Sequence, residues 1–466
     1  MTTPHNRGLL GEAESLSRLE SALHGSPADS TELVLLGDST ELTRYANSEI
    51  HQNVAQANLR VAVRVSVGRA TARVFTNSLS TSDLRAAIEQ AVELARLQAP
   101  NPQWTPLPSP ATGYPSPAES PQCWFNSTAA MPARSRAEAI GLIAEEAARW
   151  GFQAFGTYRS TAQELAVVSS TGIRSYAAST TAYLKALVEG IDGTGYSDAL
   201  DRDSAKIDPH RVAEQAVARC RANHHQAEID PGDYEAIFEP NAVADMLRFP
   251  AVWGMGARQT IDGQSFLSGK AGQPVASDVV SIWDDPTDPR CLPLPIDYEG
   301  LPATRVDIIK EGVAQGPVYD AQTAQEVGMR STGHAANPFA RFAGGPTADH
   351  IVTPVGDAPL EAMITNVQRG VLVTRFHYTH CPDGKRVIAT GTTRDGTFLV
   401  EDGELRGALK NLRLEMGVLD LLSSLQETGE GKACQDWWAA NGMATQHYFV
   451  PTMRFARCTF TGVTTF

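Results

Sequence analysis

The sequence predicts an α+β protein, with an amino-terminal domain of strands and helices followed by a β-rich, barrel-like or sandwich-like carboxy-terminal domain. Two observations support this prediction. Residues up to about 228 form two similar blocks, and each block runs from strand-like segments to an amphipathic helix. From about Asp230 the pattern changes to short strand-like runs separated by Gly, Pro and Asp. We therefore expect domains at residues 1–228 and 229–466.

The amino-terminal domain is predicted to contain an internal duplication, with blocks at about 32–99 and 123–226. Each block has an alternating run, which is typical of a strand, and then a helix pattern with a start signal. The runs lie at 59–65 and 182–188, and the helices open at Ser82-Asp83 and Asp208-Pro209. Both helices carry the tetrapeptide Glu-Gln-Ala-Val, at 89–92 and 214–217. Because the order of elements repeats together with the tetrapeptide, we favour duplication over a chance match.

A proline-rich connection at 100–121 separates the two blocks. It holds eight prolines in 22 residues, and proline cannot donate the backbone hydrogen bonds of a helix or sheet. We expect this segment to run extended over the surface. A further helix is predicted at 135–150, where Ser135 and Glu138 have the spacing of a capping box.

The carboxy-terminal domain is predicted from closely spaced strand-like runs. They lie at 234–238, 279–283, 305–310, 370–376, 386–390, 397–400 and 453–461. The Asp-Gly pairs at 383–384 and 402–403 are typical of hairpin turns. Helix patterns around 241–249 and 418–425 interrupt the strands.

Composition and charge limit the class of function. A formal charge of −14 argues against direct nucleic-acid binding, which depends on clustered Lys and Arg. No apolar run approaches the roughly 18 residues that a membrane span needs, and the first residues lack a secretory signal pattern. The six cysteines form no Cys-x-x-Cys pair, so no disulfide framework or zinc ribbon is indicated. We expect a cytoplasmic protein that contacts neither nucleic acid nor membrane.

Several longer motifs are more specific. They are Gly263 to Ser277, Trp283-Asp-Asp-Pro286, Pro295 to Arg305, Arg44 to Asn53, Lys310-Glu-Gly-Val313, Ala324 to Ala335 and Val450 to Phe455. In these motifs the chain resembles the TldD/PmbA family of metallopeptidase-like proteins over nearly its whole length. The resemblance implies a two-domain fold, assembly into dimers, and an inner chamber that admits unfolded peptides. In the family a metal-bearing subunit cleaves those peptides.

The zinc motif of the family is altered here. In the active branch, a zinc-binding His-Glu-x-x-x-His helix precedes the serine equivalent to Ser265. An ungapped register places Arg248 at the first histidine, Phe249 at the glutamate and Trp253 at the second histidine, and none of these side chains can bind zinc or act as a base. The chain therefore resembles the PmbA/TldE-like branch. We expect it to carry no cofactor, and we expect the zinc in a partner subunit.

The family's further ligand is a cysteine near the carboxyl end. Cys434 and Cys458 are the nearest candidates by position, and we interpret both as core residues rather than ligands.

A rival site lies at His377-Tyr378-Thr379-His380-Cys381. Two imidazoles and a thiol could hold a metal or form a Cys–His nucleophile. In a regular strand His377 and His380 point to opposite faces, and only a bend between them would bring both to one ion. We favour polar residues at a hairpin end that line a cavity or meet solvent. As the alternative, His380 and Cys381 are catalytic candidates, and His377 and Tyr378 are candidates for substrate binding.

Two further positions qualify as site residues. Glu299 lies two residues after Asp297, so in a strand both carboxylates would face the same way and could act as an acid–base pair. The same spacing fits carboxylates that bind backbone amides at a turn. His334 follows Thr332-Gly333 in a predicted loop and is a further candidate for substrate contact.

Three functions remain open. The first is a non-catalytic TldE/PmbA-like subunit that binds unfolded peptides and pairs with a His-Glu-x-x-x-His homologue in a heterodimer or larger assembly, or with itself. The second is an independent peptidase or amidase that uses His380 with Cys381, or Glu299. The third and weakest is a regulatory binding protein, which the family's association with DNA gyrase suggests.

Overall fold

A computed structural model describes residues 8–110, 121–340, 344–440 and 446–464. It has the mixed α+β architecture that the sequence predicts, with a strand and helix region followed by a β-rich region. Residues 111–120 of the proline-rich connection lie outside the described residues. None of the described helices is long and apolar enough to cross a membrane.

The amino-terminal region is a sheet of antiparallel strands in the order β3-β2-β1-β4-β5-β6. The strands are β1 (Ser30–Ala46), β2 (Glu49–Val67), β3 (Ala70–Thr76), β4 (Gln153–Ser169), β5 (Arg174–Glu189) and β6 (Thr194–Asp201). The helices are α1 (Glu12–Leu23), α2 (Thr81–Leu97), α3 (Asn126–Ala129), α4 (Ala133–Ala148) and α5 (Pro209–Ala222), with a short 3-10 turn at Ser204–Lys206. The order helix, three strands, helix occurs twice, and β1 and β4 pair at the centre.

The two faces of this sheet have different neighbours. Leu33, Leu35 and Val63 pack with the apolar side of α2, because alternate residues of a strand point to the same face. Val34 lies on the opposite face, where it packs with Ile296 of the carboxy-terminal region. The sheet therefore has one face covered by helices and one face turned to the other domain.

The carboxy-terminal region is built from strands that close on themselves. The strands are β7 (Gly232–Phe238), β8 (Ile282–Asp284), β9 (Val306–Lys310), β10 (Val313–Ala314), β11 (His350–Val352), β12 (Arg369–Asp383), β13 (Ile388–Glu401), β14 (Glu404–Ala408), β15 (Leu412–Gly417), β16 (Leu425–Cys434) and β17 (His447–Val463). Pairing runs from β7 through β12, β13, β15 and β17 back to β7. This closed circuit is the barrel-like form of the two predicted arrangements.

Helices cover the strands of this region. They are α6 (Pro240–Gly254), α7 (Ala257–Ile261), α8 (Ala321–Glu326), α9 (Leu360–Thr365), α10 (Val418–Ser423) and α11 (Trp437–Ala440). Helix α6 is buried on nearly all sides and contacts β12, β16 and β17. A helix that is apolar around most of its circumference requires such an environment, which explains why α6 lies within the main core.

Three local predictions are wrong. The helix predicted at 135–150 begins at Ala133 after Pro132, without a side-chain cap, so Ser135 and Glu138 form no capping box. The helix predicted to open at Ser82-Asp83 has Ser80 as its N-cap, and the Ser80 hydroxyl accepts from the Asp83 amide. The runs 386–390 and 397–400 belong to one strand, β13, because Asp395 and Gly396 take positive φ angles and the strand continues beyond them.

Candidate functional site

The site lies where α6 meets the face of the amino-terminal sheet that is turned to the carboxy-terminal region. Lys185 on β5 and Asp198 on β6 are cross-strand neighbours on this face. The buried Asp198 carboxylate accepts from the hydroxyl of Tyr196 at 2.9 Å and from Nδ2 of Asn241 on α6 at 3.0 Å, and it pairs with Lys432 of β16. Burial alone would raise the pKa of Asp198, but Lys432 and these donors hold it below its ordinary value. Asp198 thus joins the two domains.

A cavity of about 160 Å³ opens beside this junction. It is lined by Lys185, Leu187, Tyr196, Asn241, Asp245, Arg375, Phe376, His377, Gln435, Trp437 and Ala440. These residues come from β5, β6, α6, β12 and α11, together with the segment that precedes α11. The lining combines cations, amides and aromatic rings, which suits a polar ligand with an apolar part.

Three ionisable groups in the cavity have shifted pKa values. Burial, followed by the neighbouring Arg375 charge, lowers the pKa of Lys185 to about 8. Burial, followed by the neighbouring Asp436, raises the pKa of Asp245 to about 8. Burial, followed by Arg375, lowers the pKa of His377 to about 4. Near neutral pH, Asp245 is therefore mostly protonated and His377 is neutral.

The positions at which the sequence predicts an altered zinc motif lie on α6, next to this cavity. Arg248 Nη1 donates to Asp436 Oδ2 at 3.3 Å and to Gln446 Oε1 at 2.9 Å. Phe249 belongs to the main hydrophobic core, and Trp253 packs against Gly384. A zinc ion needs nitrogen, sulfur or carboxylate ligands, so these side chains do not fit one. Within the parts of the chain that the structure describes, no group of three His, Cys, Asp or Glu residues could hold a metal.

The two carboxy-terminal cysteines lie in the core. Cys434 and Cys458 are both buried among apolar residues of the barrel-like region. Burial raises the pKa of both thiols well above the ordinary value, and the thiolate is the form that binds a metal.

The segment from His377 to Cys381 contains the bend that both histidines would need. The pairing of β12 with β13 shifts between His377 and His380, and Tyr378 has a positive φ of 54°. The shift gives the two histidines different neighbours. The rings of Tyr378 and His380 lie 4.6 Å apart, whereas His377 packs against Trp437 at 5.3 Å and lines the cavity.

Cys381 is not arranged as a nucleophile. Its Sγ lies 3.4 Å from the carbonyl oxygen of Asp383, to which it donates. Burial, followed by the Asp383 carboxylate, raises the pKa of the Cys381 thiol to about 11. A thiol is an effective nucleophile only as thiolate, so this environment disfavours the catalytic role considered for the Cys381–His380 pair.

Glu299 is bound to the amino-terminal sheet. Arg64 Nη2 lies 2.8 Å from Glu32 Oε2 and 3.0 Å from Glu299 Oε1, and the Ala321 amide donates to Glu299 Oε2 at 3.0 Å. Glu299 also lines a separate cavity of about 220 Å³. Its carboxylate is therefore engaged in an ion-pair network between the two domains.

Asp297 binds backbone amides at a turn, which is the alternative to an acid–base pair with Glu299. Its carboxylate accepts from the backbone amides of Glu299, Leu301 and Ala335, each at 2.9 Å. Burial, followed by the nearby Glu299 charge, raises the pKa of Asp297. Asp297 fixes the turn that presents Glu299 to Arg64.

His334 lies in the core of the carboxy-terminal region with 4% of its surface exposed. Its Nε2 is 2.8 Å from Asp284 Oδ1, and its Nδ1 is 2.9 Å from Thr332 Oγ1. Both ring nitrogens are thus engaged by protein atoms, which does not favour the predicted contact with substrate.

Of the residues that form the cavity, the sequence pointed only to His377. Lys185 lies in the run Ala182 to Val188, where a single lysine among apolar residues was a usable signal. Asp245 lies in an apolar helix pattern and was a second signal. Arg375 and Gln435 have no local pattern that marks them, because their partners are distant in sequence.

Comparisons with known proteins agree with this architecture. Residues 231–462 match the description "PmbA/TldA metallopeptidase C-terminal domain", and residues 31–95 match "PmbA/TldA metallopeptidase domain 1". The chain is 24% identical over 242 residues to a metalloprotease of Methanothermobacter thermautotrophicus, with 51% of each chain covered. It is 28% identical over 153 residues to the metalloprotease TldD homolog of Haemophilus influenzae, with 32% of this chain and 31% of that protein covered.

A solved structure is similar over almost the full length. The crystal structure of TldE from Thermococcus kodakarensis has a TM-score of 0.85 and 21% identity, and the likeness covers 96% of this chain and 100% of that one. The curated relatives are matched over about half of their length or less, and at this identity the structural likeness shows the fold alone. Together with the two family domains, which lie in the expected order, these matches show that the chain belongs to the TldD/PmbA family.

Proposed function

We propose that this chain is a non-catalytic, peptide-binding subunit of TldE/PmbA type. In this proposal it assembles with a zinc-bearing homologue, in the cytoplasm, and the assembly degrades or processes unfolded peptides. The observation that carries the proposal is the occupation of the zinc-helix position by Arg248, which is paired with the buried Asp436.

The chemistry of that position supports the proposal. Asp436 is fully buried and accepts from the Trp438 amide at 2.7 Å and the Tyr448 hydroxyl at 3.0 Å, in addition to its contact with Arg248. A carboxylate with this set of donors is satisfied as an anion without a metal. Replacing Arg248 by a metal ligand would leave Asp436 without its cation. The ion pair at this position of α6 therefore supports a non-catalytic role.

The cavity between the domains supports the peptide-binding part. It presents Lys185, Arg375 and the amides of Asn241 and Gln435 beside the rings of Phe376 and Trp437. Such a mixture can hold the polar main chain of a peptide and one apolar side chain. The six unpaired cysteines are compatible with a reducing compartment such as the cytoplasm.

The experiment compares the full chain alone, a His-Glu-x-x-x-His homologue alone, and the two together. Zinc content is measured by elemental analysis, and cleavage is measured with an unfolded peptide. We expect stoichiometric zinc only where the homologue is present, and the fastest cleavage for the mixture. A matched control replaces the motif glutamate of the homologue with glutamine, which should abolish cleavage while the two chains still assemble.

Two outcomes would contradict the proposal. Zinc-dependent cleavage by this chain alone would show that it is a peptidase in its own right. A homologue whose activity does not change on addition of this chain, and that does not co-elute with it in size-exclusion chromatography, would remove the subunit role.

A further inference from the structure

The side chain of Lys185 lines the cavity between the domains, and none of the described residues forms an ion pair with it. Its cross-strand neighbour Asp198 is engaged by Lys432, Tyr196 and Asn241. Over the described residues, the structure records no hydrogen bond or ion pair for the Lys185 ammonium. An unpaired cation in a partly desolvated cavity is costly, and either loss of its proton or an anion that enters from outside relieves this cost.

The positive charges near Lys185 further favour a bound anion in the cavity. Arg375 of β12, Arg159 of β4 and Arg44 of β1 all lower the pKa of Lys185, after burial. Asp198 acts in the opposite direction but is already satisfied. Burial and Asp436 keep Asp245 of α6 mostly protonated near neutral pH.

The other groups at the cavity do not supply the missing anion. Arg375 itself is paired with Asp395, whose second carboxylate oxygen accepts from Thr194 at 2.7 Å. His377 is neutral near pH 7, because burial and then Arg375 lower its pKa to about 4. Near neutral pH, the cavity therefore has more positive than negative charge among its described residues.

Gln435 gives a second, independent indication of a ligand. This side chain is only 4% exposed and lines the cavity, yet its Oε1 has no hydrogen-bond partner in the described structure. A buried amide oxygen without a donor is unfavourable, and such groups are uncommon in native proteins. An N–H donor on a bound molecule would satisfy this oxygen.

The two observations specify one ligand chemistry. A molecule that satisfies both groups within this one cavity carries a carboxylate for Lys185 and an N–H for Gln435 Oε1. The last residue of a peptide has this combination, because its α-carboxylate and its amide N–H flank the same carbon atom. The volume of about 160 Å³ lies below the roughly 300 Å³ at which pockets for drug-sized ligands begin, so it suits a chain end.

We propose that the cavity formed by Lys185, Arg375 and Gln435 binds the carboxy-terminal residue of a peptide through its carboxylate. The inference rests on the proposed function, since it specifies which part of the peptide this subunit holds. The Lys185 ammonium donates to the carboxylate, Arg375 adds to the positive field, and Gln435 accepts from the terminal amide N–H. Leu187, Phe376 and Trp437 contact the terminal side chain.

The test uses the full chain and three synthetic tripeptides, with binding measured by isothermal titration calorimetry at pH 7. One peptide is N-acetylated with a free carboxyl end, the second is its carboxy-terminal amide, and the third is amidated but carries a glutamate side chain. We expect the free acid to bind at least about tenfold more tightly than either amidated peptide, since a charge-assisted contact is lost in both.

Matched variants separate the role of Lys185 from a general effect of charge. Lys185→Met should weaken binding of the free acid at least about tenfold, whereas Lys185→Arg should retain it within about threefold. Lys410→Met, which removes a surface lysine paired with Glu228, should bind as the unmodified chain does. Thermal melts of each variant establish that it is folded, and Lys185→Arg provides a reading if Lys185→Met does not fold.

The pH dependence gives an additional reading. Binding of the free acid should weaken as the pH rises through about 8, because Lys185 loses its proton and Asp245 gains a negative charge in the same range. The loss should be smaller in Lys185→Arg, which keeps its charge.

Equal binding of the free acid and its amide, or unchanged binding in Lys185→Met, would overturn the inference. Equal binding of the glutamate peptide would overturn the assignment to the chain end. These failures are distinct from failure of the proposed function. Peptide cleavage by the mixture of this chain and its homologue can persist without terminal binding, and terminal binding can persist in a chain that supports no cleavage.

Discussion

Arg248 and Asp436 form an ion pair of 3.3 Å that fastens α6 to the start of α11. Asp436 is fully buried, and Arg248 has 14% of its side chain exposed. The guanidinium also lies 5.5 Å from the ring centre of Trp438. The first position of the predicted zinc motif therefore contributes to the packing of α6 against α11.

The first prediction concerns this pair. Arg248→Met should lower the free energy of unfolding by about 2–4 kcal/mol, because Asp436 then stays buried without its cation while its other hydrogen bonds persist. Urea denaturation followed by circular dichroism measures the change. Arg406→Met is the matched control, since it removes an exposed pair with Glu404 and should cost less than about 1 kcal/mol. Equal effects of the two variants would contradict the buried role of Arg248.

The second prediction concerns the network of Arg64, Glu32 and Glu299. Arg64→Met should destabilise the chain by about 3–5 kcal/mol, because two buried carboxylates then lose their shared cation. Glu299→Gln should cost less, since the pair of Arg64 with Glu32 remains and the amide oxygen can still accept from Ala321. The measurement is the shift of the urea midpoint in both variants.

Glu299→Gln also distinguishes a structural from a catalytic carboxylate. If Glu299 serves the ion-pair network alone, peptide cleavage by the mixture of this chain and a zinc-bearing homologue should stay within about twofold in this variant. A loss of about a hundredfold or more, which is typical when a general acid or base is removed, would restore the independent-hydrolase role considered for Glu299.

The sequence was informative where the structure depends on local pattern. The start of α5 is an example, because Asp208 caps it as predicted and accepts from the amides of His210 and Arg211. The sequence was less informative where residues typical of a turn can either separate two strands or form an irregularity within one strand. Asp395-Gly396 has the composition of a turn, but its positive φ angles produce an irregularity within β13.

The candidate site could be predicted only in part, for a related reason. The change at Arg248, Phe249 and Trp253 is visible because the family motif occupies six consecutive positions. The cavity around Lys185 brings together residues more than 180 positions apart, such as Lys185 and Arg375. No motif with a fixed spacing in the sequence therefore indicates it. The partners of His334 and Glu299 are also remote in sequence, which is why both looked available for chemistry.

The third prediction is a pH dependence from the buried pair of His334 and Asp284. The carboxylate and hydrogen bonds raise the pKa of His334 against the effect of burial, so its folded pKa lies above the ordinary 6.5. The stabilisation is fully present below pH 6.5 and is lost as the pH rises through the raised value. Asp284 has a lowered pKa, so its contribution is present above its ordinary 3.8 and is lost as the pH falls through the lowered value.

The measurement is the urea midpoint of the unmodified chain and of His334→Asn between pH 6 and 9. The difference between the two should shrink as the pH rises, because asparagine cannot form the ion pair at any pH. His210→Asn, which changes an exposed histidine, is the control for loss of an imidazole at the surface. A constant difference for His334→Asn would contradict a charged pair.

The fourth prediction concerns the reactivity of Cys381. It is half-buried, whereas the other five cysteines are buried, so iodoacetamide should reach Cys381 first in the folded chain. With a pKa of about 11, roughly one thiol in three thousand is ionised at pH 7.5, and labelling should be slow. The rate should rise about tenfold per pH unit until the pH approaches that pKa.

Mass spectrometry of the labelled chain, with Cys381→Ser to identify the site, gives the rate. Fast labelling at pH 7.5 would show an activated thiol, and with it the Cys381–His380 nucleophile that the hydrogen bond to Asp383 argues against.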